Sequence, residues 1–403
     1  MRIEPVLNEK YANSQVKIKI LGVGGAGGNT INTLVEKKLQ GVEFVAANTD
    51  WGDLQKSKAD KLLYLGRLTS RGHGAGADRE IGKLAAEESE AEILDTFHDA
   101  DMVFLVAGMG KGTGTGSSPT IVETIKSIKS ETGNQKLVVA IVFFPFQYEG
   151  AKRIKNAEKG LEELVGIVDT LIVIPNEKIH EEYKGDSIIE AFKKADDIIF
   201  HAASAITDLL LKKGYLEVDF RDILTILANK GFAYITSGEA EGDNRAMEAA
   251  DRAMNNPLLS DIELKDTKGL LINITSGPDL GLNEFYDALT KITDSTGKEG
   301  DIIHGYVIDN EMSNKVRVTM IATGLKIKTQ SYYKVPAPAK SNTQADLNFN
   351  TSRNDWRKID NDDDDLDIDK SSTQSQKIEI DEDTDTNEIN NDIPAFYKRF
   401  NND

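Results

Sequence analysis

Two glycine-rich runs hold the residues whose types and spacing could do chemistry. The first, Gly22, Val23, Gly24, Gly25, Ala26, Gly27, Gly28 and Asn29, follows an apolar run and opens an amphipathic one. Backbone N–H groups at such a junction point into the space ahead of a helix, where a phosphate fits. Gly22, Gly24 and Gly27 satisfy G-x-G-x-x-G, whose natural reading is a dinucleotide site. Such a site also wants an acid about 20 residues on, at the end of the second strand. Here that stretch closes on Asn48, Thr49 and Asp50, with Asp50 28 residues past Gly22, a poor fit. The second run is Ala107, Gly108, Met109, Gly110, Lys111, Gly112, Thr113, Gly114, Thr115, Gly116, Ser117, Ser118 and Pro119. It is not a Walker A loop, because Lys111 is followed by Gly112 rather than Ser or Thr. Its N–H donors and the Thr113 and Thr115 hydroxyls would cradle two or three phosphates. Either run alone reads equally well as a structural tight turn; both at strand ends of one sheet suggest a nucleoside triphosphate held by loops.

The elements that must position these loops follow from periodicity. Val16 to Val23, Val42 to Ala47, Leu62 to Leu65, Met102 to Ala107, Leu137 to Phe144 and Thr170 to Ile174 are short apolar runs, with helical patterns between most of them. Continuous apolar strands interleaved with helices predict a parallel sheet covered on both faces, the doubly wound α/β class. From Ser187 to Lys213, Ile188, Phe192, Ala195, Ile199, Ala202, Ile206 and Leu209 recur at steps of four and three, which predicts one helix ~40 Å long ended by Gly214. Strands at Phe232 to Thr236, Gly269 to Thr275, Ile302 to Ile308 and Val316 to Ala322, with helices near Asn244 to Met254 and Asn283 to Thr293, predict a second α/β domain. The expected division is an extension at 1–15, a nucleotide domain at 16–186, the long helix at 187–214, the second domain at 215–328, an acidic linker at 329–390 and a docking peptide at 391–403.

Composition excludes whole classes. The 403 residues include no Cys, so there is no disulfide framework, thiolate nucleophile or thiolate metal site, and the five His show no metal-ligand spacing. A net charge of −19 disfavours nucleic acid. Residues 331–403 carry 9 Lys and Arg against 17 Asp and Glu, net −8, leaving −11 for residues 1–330. Too few apolar residues follow Lys328 to fold, until Ile393, Pro394, Ala395, Phe396, Tyr397, Lys398, Arg399 and Phe400 reverse both hydrophobicity and charge. The N-terminus has no signal-peptide core and no window approaches 18 uncharged apolar residues, so a cytoplasmic protein without direct membrane insertion is expected.

The constellation resembles the bacterial cell-division branch of the tubulin/FtsZ family, over roughly residues 15–325 and the C-terminal peptide. The family's Gly-Gly-Gly-Thr-Gly-Thr-Gly signature aligns with Gly110, Lys111, Gly112, Thr113, Gly114, Thr115 and Gly116, with Lys111 replacing a Gly. Gly22 to Asn29, the Asn48 to Asp50 loop, and Arg71, Gly72, His73, Gly74, Ala75, Gly76, Ala77 match its other nucleotide loops. The resemblance implies a tubulin-like fold binding GTP and GDP through Gly24, Gly25, Ala26, Asn29, Asn48, Ala75, Gly76, Ala77, Gly108 and Gly110 to Gly116. By it, Glu149 and Arg153 contact sugar and phosphates, Asn176 contacts base or ribose, Phe192 stacks on guanine and Asp196 accepts from its N1–H and exocyclic amine. Read alone, Phe192 is as much core as stacking platform and Asp196 a solvated helix acid; Lys111 either tightens phosphate binding or points into solvent. The resemblance also implies Mg²⁺ with the triphosphate, held mainly by phosphates and water, so no ligand residue is named.

Asp219 and Asp222 read alone as a helix N-cap and a first-turn acid. The resemblance makes them the acids that enter the next subunit's nucleotide site and polarise water for attack on the γ-phosphate. The family has Asn where this chain has Glu217, and Arg where it has Leu224. The resemblance therefore implies a GTPase that polymerises head to tail into the scaffold of the mid-cell division ring. Ile393, Pro394, Phe396, Tyr397, Lys398 and Arg399 resemble the family's peptide for a membrane-tethering division adaptor, with Tyr397 in place of Leu. The rival readings are a plasmid-partition tubulin relative, against which the C-terminal peptide weighs, a non-hydrolysing tubulin-like scaffold, which would lack the two acids, and a nicotinamide-dependent oxidoreductase, which leaves the Thr-rich loop unexplained.

Overall fold

The computed structural model describes residues 16–129, 136–211, 218–228, 230–256, 264, 267–296 and 300–325. The expected N-terminal extension, acidic linker and docking peptide, with Ile393, Pro394, Phe396, Tyr397, Lys398 and Arg399, lie outside the described residues, as do Gly214 and Glu217.

Strand β1 (Ile18–Val23) runs directly into helix α1 (Gly24–Glu36), followed by β2 (Val42–Asn48), α2 (Trp51–Leu54) and β3 (Lys61–Tyr64). Next come α3 (Arg79–Glu88), α4 (Glu90–Phe97), β4 (Met102–Gly108), α5 (Thr113–Ser127), β5 (Leu137–Phe144), α6 (Ala151–Val165), β6 (Thr170–Pro175) and α7 (Asn176–Glu182). The long α8 (Ile188–Leu211) leads to α9 (Phe220–Leu227), β7 (Gly231–Glu241), α10 (Arg245–Met254), β8 (Gly269–Ser276), α11 (Leu282–Thr296), β9 (Asp301–Ile308) and β10 (Lys315–Thr323).

The strands form one sheet in the order β3-β2-β1-β4-β5-β6-β7-β10-β8-β9. From β3 to β7 all pairs are parallel, as the alternation of strands and helices demands. All six residues of β1 are buried, since the strand is paired on both edges and covered on both faces. That double covering is why it is apolar but for Lys19, whose ammonium pairs with Glu43 and Asp99, instead of alternating apolar and polar. The strands of the C-terminal half continue the same sheet. β7 joins β6 through three paired positions, Thr170 with Gly231, Leu171 with Phe232 and Ile172 with Ala233. Beyond that seam the pattern changes hand, because β10 is antiparallel to both β7 and β8.

Helix α8 lies against α1 and α7 of the nucleotide half and against β7, β9 and β10 of the C-terminal half. Its buried stripe is Ala195, Ile199, Ala202, Ala203, Ile206 and Leu209, part of a core continuous with Ile172, Ile235, Leu271 and Ile321. The stripe departs from the sequence expectation at its N-terminal end, where Ile188 is 76% and Phe192 41% exposed. There the helix has run past the sheet edge and faces a cleft instead of a strand. A separate core on the opposite face, built from Tyr234, Ala249, Ile272, Ala288, Ile292 and Val318, holds α10 and α11 to the C-terminal strands.

Candidate functional site

Two neighbouring strands, β1 and β4, send their following helices off from the same edge of the sheet. In open α/β sheets this is where the chain leaves room for a ligand beyond the carboxyl ends of the strands. A cleft of about 780 Å³ opens there, within the range of sites that enclose small organic ligands. Both glycine-rich loops line it: Val23, Gly24, Gly25, Ala26 and Asn29 from the first, and Gly108, Met109, Lys111, Gly112, Thr113 and Gly114 from the second.

Both helices start without a side-chain cap and without an acid in the first turn. Their uncapped N–H groups and positive dipole ends therefore face the cleft together, an arrangement suited to an anion. Gly24, at φ +70°, has its Cβ position 3.2 Å from Gly114 N, so the two loops meet where a side chain on Gly24 would press them apart. Hydroxyls tie the loops to the rest of the site. Thr113 Oγ1 and Thr49 Oγ1 share a hydrogen bond at 2.6 Å, and Gly110 N–H donates to Thr115 Oγ1 at 2.8 Å.

Not every residue singled out from the sequence reaches the cleft. Thr115 is fully buried with its hydroxyl committed to Gly110, and Gly110, Thr115 and Gly116 lie behind the lining. A Cβ on Gly116 would fall 1.9 Å from Arg79 O, so that glycine lets α5 lie against α3. Asn48 faces a neighbouring hollow with Asn32, Asp53 and Lys56, where its amide donates to Asp53 Oδ2 at 3.0 Å and its carbonyl accepts Asp50 N–H at 3.2 Å. Ala75 and Ala77 line the main cleft and Gly76, between them, does not. Ala77 holds φ +61°, a backbone costly for a residue with a Cβ. Glu149 lines the cleft and is paired with Arg153, which does not. Lys111 is exposed at the rim.

The far wall comes from α7 and α8. Asn176 opens α7 and lines the cleft, and its Oδ1 is buried with no hydrogen-bond partner among the described residues. Phe192 sits edge-on to Phe146, with ring centroids 6.4 Å apart, and Phe146 stacks on Tyr148 at 4.8 Å. Asp196, one turn below Phe192, accepts from Thr30 Oγ1 at 2.7 Å and from Thr33 Oγ1 at 2.8 Å. Burial pushes its carboxyl above the ordinary aspartate range, while the two hydroxyls and Lys37 pull it back toward the ionised form.

Sequence reasoning did not assign Phe146, Tyr148, Ile189 or Thr30 to the site and set Ile188 on the buried stripe, yet all five line the cleft. Thr30 carried no signal, because a helix threonine has no spacing rule that marks it.

Asp219 and Asp222 lie elsewhere. They open α9 as a reciprocal cap, and neither lines the cleft of its own chain. Among the described residues no cluster of His, Asp and Glu could hold a metal ion, and no helix is long and apolar enough to cross a membrane.

Comparison with known proteins agrees with this geometry. Residues 17–184 match the model of the tubulin/FtsZ family GTPase domain, and residues 231–326 that of the FtsZ family C-terminal domain. A cell division protein FtsZ of Wolbachia sp. is 43% identical over 316 residues, covering 77% of this chain and 79% of that protein. The FtsZ of Magnetospirillum gryphiswaldense is 42% identical over 310 residues, covering 77% of this chain and 54% of that longer protein. Among solved structures, an empty FtsZ dimer of M. jannaschii superposes with a TM-score of 0.72 at 39% identity, covering 80% of this chain and 95% of that one. CetZ2 of Haloferax volcanii, at 22% identity and a TM-score of 0.66, shares the fold. With a tubulin-like sheet, two phosphate-type loops in one cleft and both domain models matched in order, the chain belongs to the tubulin/FtsZ family of cell-division GTPases.

Proposed function

We propose that the protein binds GTP in the cleft between α1, α5 and α8 and polymerises head to tail, hydrolysing the nucleotide where two copies meet. One observation carries this reading: the cleft has every feature for holding a nucleoside triphosphate, yet neither Asp219 nor Asp222 lines it. Residues 16–186 then bind nucleotide, and residues 215–328 carry the acids to the next copy. The phosphates lie on the N–H groups of the two loops, and Phe192 and Asp196 take the base. A carboxylate accepts from N1–H and the exocyclic amine of guanine, and adenine offers neither pair. Mg²⁺ accompanies the triphosphate and neutralises charge on it, and with no metal-holding carboxylate cluster among the described residues its ligands are mainly phosphate oxygens and water.

In the hydrolytic step a water oxygen bonds to the γ-phosphorus while the bond from that phosphorus to the bridging oxygen breaks. Asp219 and Asp222 of the adjoining copy orient the water and take up its proton. Phosphoryl transfer needs chiefly positioning and charge control, so bringing two carboxylates across an interface is enough to switch it on. Head-to-tail contacts that do not close give open filaments. We assign these filaments to the division ring at mid-cell, tethered by an adaptor that binds Ile393, Pro394, Phe396, Tyr397, Lys398 and Arg399.

The test is GTP turnover per molecule across a protein concentration series, with sedimentation of the same samples. Turnover should appear above a threshold at which the protein also pellets. Turnover proportional to concentration from zero, with no pellet, would overturn the shared site.

A further inference from the structure

Helices α1 and α8 meet along a ladder of side chains rather than a smooth apolar seam. On α1, Thr30, Thr33 and Lys37 are spaced three and four apart and so share a face. Opposite them Thr30 Oγ1 donates to Asp196 Oδ1 at 2.7 Å and Thr33 Oγ1 to Asp196 Oδ2 at 2.8 Å. One turn further along, Lys37 pairs with Asp197 at 2.5 Å and lies 5.2 Å from the centre of the Phe200 ring. The Asn29 carbonyl is a second neighbour of the Thr33 hydroxyl, but at 3.3 Å it is the weaker claimant.

We propose that Thr30 and Thr33 are positioning residues for guanine: their hydroxyls hold the Asp196 carboxylate in the plane that the base requires. This rests on the reading of the cleft as a GTP site with Asp196 at the base. An ionised carboxylate can accept about four hydrogen bonds, two at each oxygen. Each oxygen here receives one hydroxyl, which leaves one acceptor position per oxygen for the pair of parallel N–H donors on guanine. The hydroxyls have a second effect. Asp196 is partly buried, and burial favours the neutral acid, which would present an O–H toward N1–H and repel it. Two donors per carboxylate counter that tendency. A third consequence is geometric, since α1 begins at the phosphate-facing Gly24 and carries Thr30 and Thr33 two turns on. The ladder therefore sets the distance between the phosphate loop and the base-reading acid through one rigid helix.

The experiment compares equilibrium affinities for GTP and ATP in four full-length proteins: the native chain, the Thr30→Val/Thr33→Val double variant, the Thr30→Ser/Thr33→Ser double variant and Asp196→Ala. Valine keeps the branch and removes the donor, while serine keeps the donor. We expect the valine pair to lose at least about tenfold in GTP affinity with ATP affinity changed less than about twofold, and the serine pair to keep the native ratio. A packing role alone would lower the melting temperature or weaken both nucleotides together and leave the ratio intact; that outcome overturns the proposal, as does a native ratio in a folded valine variant. If Asp196→Ala also leaves the ratio unchanged, the base-reading role of Asp196 fails instead, and the two failures are told apart.

Discussion

Asp219 and Asp222 hold each other at the start of α9: Asp222 N–H donates to Asp219 Oδ1 at 2.9 Å, and Asp219 N–H donates to Asp222 Oδ2 at 3.1 Å. Each carboxylate is thus braced by the backbone of the other through one oxygen, and among the described residues the second oxygen has no partner.

This pairing lets fold and chemistry be separated. Asp222→Asn keeps a carbonyl to accept the Asp219 N–H, so the cap survives while the charge is lost. We expect GTP turnover to fall about 10²-fold, with nucleotide binding and sedimentation unchanged. Asp219→Ala, which removes the cap, should in addition cost about 1 kcal/mol of stability. Native turnover in Asp222→Asn would remove Asp222 from the mechanism.

Trp51 reports on the loops. Its backbone N–H donates to Gly72 O at 3.2 Å and its ring, 42% exposed, lies 5.2 Å from that of Tyr64, beside the segment that carries Ala75 and Ala77 into the cleft. In a Trp356→Phe background, which leaves Trp51 as the remaining tryptophan of the two, GDP or GTP should change the emission and ADP should not. Superimposable spectra with and without GDP would place that segment away from the nucleotide.

Two glycines should respond with opposite sign. Gly116→Ala puts a methyl 1.9 Å from Arg79 O and 2.9 Å from Lys83 N, so α3 must shift at a cost of roughly 1–3 kcal/mol or more. Gly28, inside α1, has open space around its Cβ position, and Gly28→Ala should stabilise by about 0.5–1 kcal/mol through reduced freedom of the unfolded chain. Thermal melting decides; a Gly116→Ala protein as stable as the native one would mean α3 and α5 are not in this contact.

His201, on α8, predicts an acid-side loss of stability. Burial, reinforced by the Arg317 and Lys37 cations, lowers its imidazole from 6.5 to about 3, and its Nδ1 is buried with no partner. The unfolded chain takes up a proton below pH 6.5 that the folded chain refuses until about pH 3, so stability present above 6.5 is lost as pH falls through that window. The slope from one proton is at most about 1.4 kcal/mol per pH unit. Urea midpoints at pH 7 and pH 5 should show a smaller loss in His201→Phe than in the native protein, by roughly 1–2 kcal/mol. Equal losses would assign the acid limb to other groups.

The sequence by itself determined the strands of the nucleotide half, because a strand covered on both faces must be apolar nearly throughout, as β4 is at every position and β1 is apart from the ion-paired Lys19. It determined the two loops as well, since turn geometry and phosphate approach select glycine locally. It placed Asp219 and Asp222 one turn apart at a helix start for the same short-range reason. Only the tertiary structure decided that Phe192 leaves the apolar stripe for the cleft: helical periodicity says which residues share a face and not where the sheet beneath that face ends. Only it showed Thr115 spent on Gly110 and Asn48 turned to a neighbouring hollow. The continuation of one sheet through three paired positions from β6 to β7 was equally hidden. Most distant of all is the grip of Thr30 and Thr33 on Asp196, across 166 and 163 residues. Periodicity and turn chemistry act over a few residues, whereas such partnerships exist only once two helices have been packed side by side on a common sheet.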